Sequence, residues 1–122
     1  MILFVRDLTV IDFSYLCQQR GLLGESYIVD VELQGDLDAT SMVFDFGSVK
    51  KVIKKAIDQL VDHKLAYPAQ ASCLTHRREQ DIDILQWQSA RGSIQIASPA
   101  QAHVAIDTMA INEQSVAAFL VE

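Results

Sequence analysis

The chain has 122 residues, 50% of them hydrophobic, with ten Lys and Arg against sixteen Asp and Glu, for a formal charge of −6. That length suits one domain able to bury its own core. The acidic balance argues against a nucleic-acid backbone or an anionic membrane as partner, since both draw on clustered Lys and Arg, and here these gather only at Lys50, Lys51, Lys54 and Lys55 and at Arg77-Arg78.

In chain order, MILFVRDLTV is apolar but broken by Arg6 and Asp7, too short and too charged for a secretory signal or a membrane span. With Ile2, Phe4, Leu8, Val10 and Phe13 it reads as a strand. Cys17 and Cys73 are expected as thiols in a reducing cytoplasm, the compartment implied by a start without a signal peptide. In SYIVDVELQGDLD, Tyr27, Val29, Val31 and Leu33 alternate with Ser26, Ile28, Asp30, Glu32 and Gln34, the period of two of a strand with one wet face. In FGSVKKVIKKAIDQLVDH, residues Val49, Val52, Ile53, Ala56, Ile57, Leu60 and Val61 form a helical stripe, with Ser48 as the expected N-cap and the lysines on the other face. Such a stripe must be buried, and an antiparallel sheet with one apolar face is the natural surface to receive it.

Beyond the helix, Pro68 to Thr75 reads as a connection and RREQD as a charged, solvated loop. IDILQWQ, GSIQIAS and HVAID follow as short strands with reversals near Arg91-Gly92 and Pro99-Ala100, and Trp87 is expected to pack in the core. INEQSVAAFLVE predicts a helix capped by Asn112, with Val116, Phe119 and Leu120 on one face. Glu79, Asp81 and Asp83 lack the glycine and closing glutamate of a calcium loop and read as a solvated turn. His76, His103, Cys17 and Cys73 share no tight ligand spacing beyond Cys73-x-x-His76, a weak metal signal.

The stretch LVDHKLAYP leaves two readings open for Asp62 and His63. They are a polar corner at the negative end of a helix, or an acid/base dyad in which the carboxylate orients the imidazole.

Residues 26–65 resemble the 6-pyruvoyl- and 6-carboxy-tetrahydropterin synthase family, through Met42-Val43, Asp45-Phe46, Lys50 and Asp62-His63 at ungapped spacing. The resemblance implies an α+β tunnelling fold: an antiparallel sheet with helices packed on one face, assembled into closed homo-oligomers with sites between subunits. It implies a pterin-like small molecule as ligand, lyase chemistry and, for the 6-carboxy branch, a place in queuosine biosynthesis. It gives Asp62 and His63 the role of moving protons on the dihydropterin side chain. Cys17, ahead of Leu23-Gly24-Glu25, stands where pyruvoyl-type members carry a working thiol, or is an inert strand-end cysteine. INEQSVA resembles the family's second-helix entry and would put Gln114 at a substrate-binding glutamate.

The family's zinc is held by three histidines, two of them in an H-G-H that reads Leu23-Gly24-Glu25 here, and FSYLC supplies no third. Leucine has no lone pair, and one glutamate does not replace a tetrahedral nitrogen set. The expectation is therefore a chain without metal or other cofactor. It is a degenerate family member kept for pterin binding or assembly, or alternatively an active lyase on dihydroneopterin triphosphate using Asp62, His63 and Cys17. Residues 1–122 are read as one tunnelling-fold domain, either cut short at its C-terminus or the first half of a tandem chain.

Overall fold

The computed structural model describes residues 2–34 and 39–121, with side chains described for 4–32 and 48–121. The calls on Met42, Val43, Asp45 and Phe46 lie outside the described side chains.

A long hairpin leads. Strand β1 (Ile2–Cys17) pairs antiparallel with β2 (Gly21–Gln34). The register shifts between Val5 and Thr9, where Asp7 takes a positive φ of 53° and donates its N–H to Asp30 Oδ1 at 2.8 Å, a β-bulge that bends the strand. At the hairpin turn, Gly21 has φ +87°, and a Cβ there would sit 3.3 Å from Ile94 Cδ1. Both the turn and the close approach call for glycine.

Helix α1 (Ala39–Leu60) follows, then β3 (Leu65–Pro68), β4 (Leu74–Glu79), β5 (Ile82–Ser89), β6 (Gly92–Pro99), a 3₁₀ turn at Ala100–Ala102, β7 (His103–Ile106) and α2 (Glu113–Leu120). The helix starts nine residues before Ser48, so Ser48 is not its cap. In the sequence the apolar spacing extends back through Phe46 and Met42, and continuing the helix overrides both the capping tendency of Ser48 and the roughly 1 kcal/mol cost of Gly47 in a helix interior. At α2 the expectation holds. Asn112 Oδ1 accepts from the Ser115 N–H at 2.8 Å, and Ser115 Oγ accepts from the Asn112 N–H at 2.9 Å.

The main sheet has the order β2-β1-β3-β7, and β4-β5-β6 form a second, antiparallel sheet. The fold class is α+β as expected, but the main sheet is mixed, because β3 runs parallel to both β1 and β7. Alternation along β1 and β3 sorts its two faces. Ile11, Phe13 and Ala66 pack with Ile57 of α1, with Val61 just beyond it and with Val116 of α2, while Leu16, Leu65 and Tyr67 pack with Leu85 and Trp87 of the second sheet. Both helices therefore cover one face and the small sheet covers part of the other. Trp87, 1% exposed, also donates its indole N–H to the Cys17 carbonyl at 2.9 Å, tying the small sheet to the end of the hairpin.

The solvated RREQD loop is a correction. Arg77, Arg78 and Glu79 belong to β4, and only Gln80 and Asp81 form the turn. Two residues suffice because Gln80 adopts φ +56°, a left-handed conformation suited to tight hairpins.

Candidate functional site

The end of α1 builds the Asp62-His63 corner. Val61 and Asp62 still donate to the carbonyls four residues back, and His63 then turns left-handed at φ +60°, the conformation that commonly stops a helix at the residue after its cap. The left-handed turn lets the chain join the main sheet. His63 N–H donates to the Asp12 carbonyl at 2.7 Å, and Ser14 N–H donates to the Lys64 carbonyl at 3.0 Å. Asp62 Oδ1 accepts the Asp12 N–H at 2.9 Å, and its Oδ2 lies 3.4 Å from His63 Nε2. The Asp62 side chain is 19% exposed and that of His63 80%. The carboxylate is thus anchored by a backbone donor, and the imidazole stands in solvent beside it. The Asp12 carboxylate in turn accepts from the Ser26 hydroxyl.

This corner forms one wall of a cleft of about 560 Å³ between the two sheets. Asp12, His63 and Lys64 stand on one side, Ile96 and Ser98 of β6 on the other, and His103 of β7 also lines it. His103 lies beside a charged cluster centred on the buried Asp83. Asp83, 1% exposed, accepts from Arg78 Nε at 2.7 Å and Nη2 at 3.3 Å, and His76 Nε2 lies 3.1 Å from Asp83 Oδ1. His103 Nδ1 lies 3.5 Å from Asp83 Oδ2 and is buried with no hydrogen-bond partner. Tyr67 packs its ring against both imidazoles, with centroids 5.7 Å from His76 and 6.5 Å from His103.

The Arg78 guanidinium, its hydrogen bonds outweighing burial and reinforced by His76, holds the Asp83 carboxyl far below the usual carboxylate range. Burial, together with the Asp83 charge, pushes the Tyr67 hydroxyl up. Asp58 of α1 is pushed up by burial but more strongly down by Lys54 and by the Thr9 hydroxyl, for a net lowering.

The solvated reading of Asp83 is therefore overturned. Pairing Arg78 with Asp83 and His76 with Leu85 across β4 and β5 puts Arg78, His76 and Asp83 on one inward face. The sequence signal was there in the two-residue turn flanked by alternating positions. Reading Arg77 to Asp81 as loop hid it. Among the described residues no three His, Cys, Asp or Glu side chains gather as a set that could hold a metal ion.

The other sequence-picked residues lie apart. Cys17 is five residues beyond Asp12 on β1, about 17 Å along the strand, with its thiol 3.6 Å from Gln19 Oε1, so within one chain it is not brought to His63. Leu23 pairs with Tyr15, and Glu25 pairs with Phe13 on the hairpin. Gln114 is exposed in the first turn of α2. A second, largely apolar groove of about 920 Å³ runs between β2, α1 and α2, lined by Val52, Ile53, Val116 and Leu120 among others.

The family model described as 6-pyruvoyl tetrahydropterin synthase matches residues 14–77, just over half of the chain and including Cys17, α1 and the Asp62-His63 corner. The chain belongs to the 6-pyruvoyl tetrahydropterin synthase family. Solved structures of this family share its fold. The Plasmodium vivax 6-pyruvoyl tetrahydropterin synthase superposes with a TM-score of 0.72 at 18% identity, over 99% of this chain and 75% of that one. The Plasmodium falciparum enzyme gives 0.71 at 14% identity, over 99% and 75%. Among curated protein sequences none matches the chain. Among the described residues no helix is long and apolar enough to cross a membrane.

Proposed function

We propose that this family member binds a pterin-like small molecule without the catalytic zinc of its relatives. The observation that carries the reading is the donor set at the family's zinc position. Leu23 offers no lone pair, and Glu25 stands on an exposed strand with Oε1 accepting the adjacent Ser26 N–H at 3.1 Å. These residues do not fit a zinc ion, which takes four nitrogen, sulfur or carboxylate ligands. The Asp62-His63 corner, by contrast, is intact, and it borders a cleft of a volume suited to a bicyclic heterocycle. Titrating neopterin into chelator-treated protein by calorimetry is expected to give saturable binding, and absence of binding at millimolar ligand would overturn the reading.

The retained Asp62-His63 pair favours a second reading, an active lyase on dihydroneopterin triphosphate with His63 as proton carrier, and Cys17 from a neighbouring copy is then the thiol it needs.

Assembly into a homo-oligomer belongs to the same proposal. Strand β2 is an edge of the main sheet, 14 residues long, and Ile28 on it is 66% exposed while Phe4 and Val10 on β1 are also exposed. A long apolar edge of this kind invites pairing with another chain. Light scattering on the purified protein is expected to show a closed assembly of defined mass, and a clean monomer would count against it.

A further inference from the structure

The outer edge of the small sheet carries no guard against pairing. Among the described residues β6 pairs with β5 alone, and from Gly92 to Pro99 it has no charged side chain. The opposite edge, β4, carries Arg77, Arg78 and Glu79, the kind of charge with which native proteins keep an edge from joining another chain. The β5-β6 hairpin turns on two residues, with Ser89 paired to Gly92. That pair exchanges backbone hydrogen bonds, and Trp87-Ile94, Leu85-Ile96 and Asp83-Ser98 repeat it by twos. The intervening Gln88 of β5 points the other way, its N–H donating to the Cys73 carbonyl at 3.1 Å. Ser93, Gln95 and Ala97 of β6 therefore turn their N–H and C=O groups away from β5, and their side chains are exposed.

We propose that β6 pairs antiparallel with β6 of a second copy of this chain, about a two-fold axis at Gln95, joining the two small sheets into one. In that register Gln95 meets its own counterpart and Ser93 meets Ala97, so the outward-facing backbone groups of all three residues find partners. Ile94 then stands opposite Ile96 of the second copy, at the closer-spaced positions between those hydrogen-bonded pairs. Both isoleucines are only partly buried by their own chain, and an apolar cross-strand pair forms on each side of the axis. A strand facing itself across a two-fold axis must not oppose like charges, and β6 has none to oppose. Ile96 and Ser98 line the cleft between the two sheets, so Ile94 of the second copy extends the wall that Ile96 provides. This contact is separate from the β2 edge, and it does not rest on the pterin reading.

The test uses charge at the axis. Gln95→Lys sets two lysines face to face and Gln95→Glu two glutamates, whereas mixing the two variants sets opposite charges there. Gln95 is exposed on the strand edge, so both changes leave the β5 ladder intact. Mass is read by light scattering over a dilution series. Each single variant is expected at about half the mass of the unmodified protein, with the full mass restored on mixing. A mass that Gln95→Lys leaves unchanged, or a halved mass that mixing does not restore, would overturn the proposal. Ile28→Lys on β2 separates the two edges. If it lowers the mass while Gln95→Lys does not, the β2 assembly stands and the β6 pair falls; the converse leaves the β6 pair standing alone. An unmodified protein that is monomeric overturns both.

Discussion

Replacing Asp83 with alanine is expected to destabilise the protein by about 3 kcal/mol and to lower its melting temperature by about 10 °C. The carboxylate is 1% exposed and is the common acceptor for Arg78 and His76, with His103 close by. Removing the shared acceptor of such a cluster leaves its buried members without compensation, at a typical cost of about 3–5 kcal/mol where all partners are buried. The lower end applies because the Arg78 side chain is 56% exposed and can turn to water. The loss falls on the contact between the sheets, since Asp83 belongs to the small sheet and His103 to the main one. Arg77→Ala is the control. Its contact with Glu79 is 3.7 Å long and more than 60% exposed on both sides, and exposed pairs of this kind contribute little.

The same residue gives a pH signature. An unfolded aspartate titrates near 3.9, whereas Arg78 holds the folded carboxyl far below the usual carboxylate range. The folded state therefore favours the ionised form, and the stabilisation is fully present above the unfolded value. It is lost as pH falls through the ordinary carboxylate range and below. Thermal melts should show a constant gap between the unmodified protein and Asp83→Ala from about pH 7 to 5, closing on further acidification. Asp58, lowered by Lys54 and Thr9 against its burial, adds a loss of the same sign in both proteins and so cancels in the comparison. A gap that stays constant to pH 3, or no change in melting temperature at all, would mean that the cluster does not hold the sheets together.

What the sequence could reveal follows from how local each signal is. The period of two in Tyr27, Val29 and Val31 identified β2 with its half-buried face, because side-chain alternation is set by the strand itself. Asn112 was readable as a cap for the same reason: its partner Ser115 is three residues away. The position of Asp62 and His63 at a helix exit was also local. The pair is a polar corner where α1 stops, with Asp62 Oδ2 3.4 Å from His63 Nε2.

Non-local features were hidden. The environment of Asp83 depends on register across β4 and β5 and on His103, twenty residues further along, so its acidic neighbours in sequence pointed the wrong way. The parallel entry of β3 beside β1 depends on a backbone bond from His63 to Asp12 that no spacing announces. The early start of α1 was missed for a different reason, since Gly47 and Ser48 give a local stop-and-start signal that the longer apolar repeat overrides.

The central claim, a family member working without zinc, carries the largest expected effect. A bound zinc would act as a Lewis acid on the substrate's side-chain oxygens, and Asp62 with His63 cannot assume that role. Losing the ion removes several kcal/mol of transition-state stabilisation, which corresponds to a rate lower by roughly three orders of magnitude or more. The deciding measurement is metal analysis by mass spectrometry on the purified protein, joined to dihydroneopterin triphosphate turnover with and without added zinc. The account predicts no stoichiometric zinc and turnover that stays at this reduced level when zinc is supplied. About one zinc per chain, retained through dialysis and accompanied by turnover at the rate of an intact synthase, would contradict it and make the active lyase the correct reading.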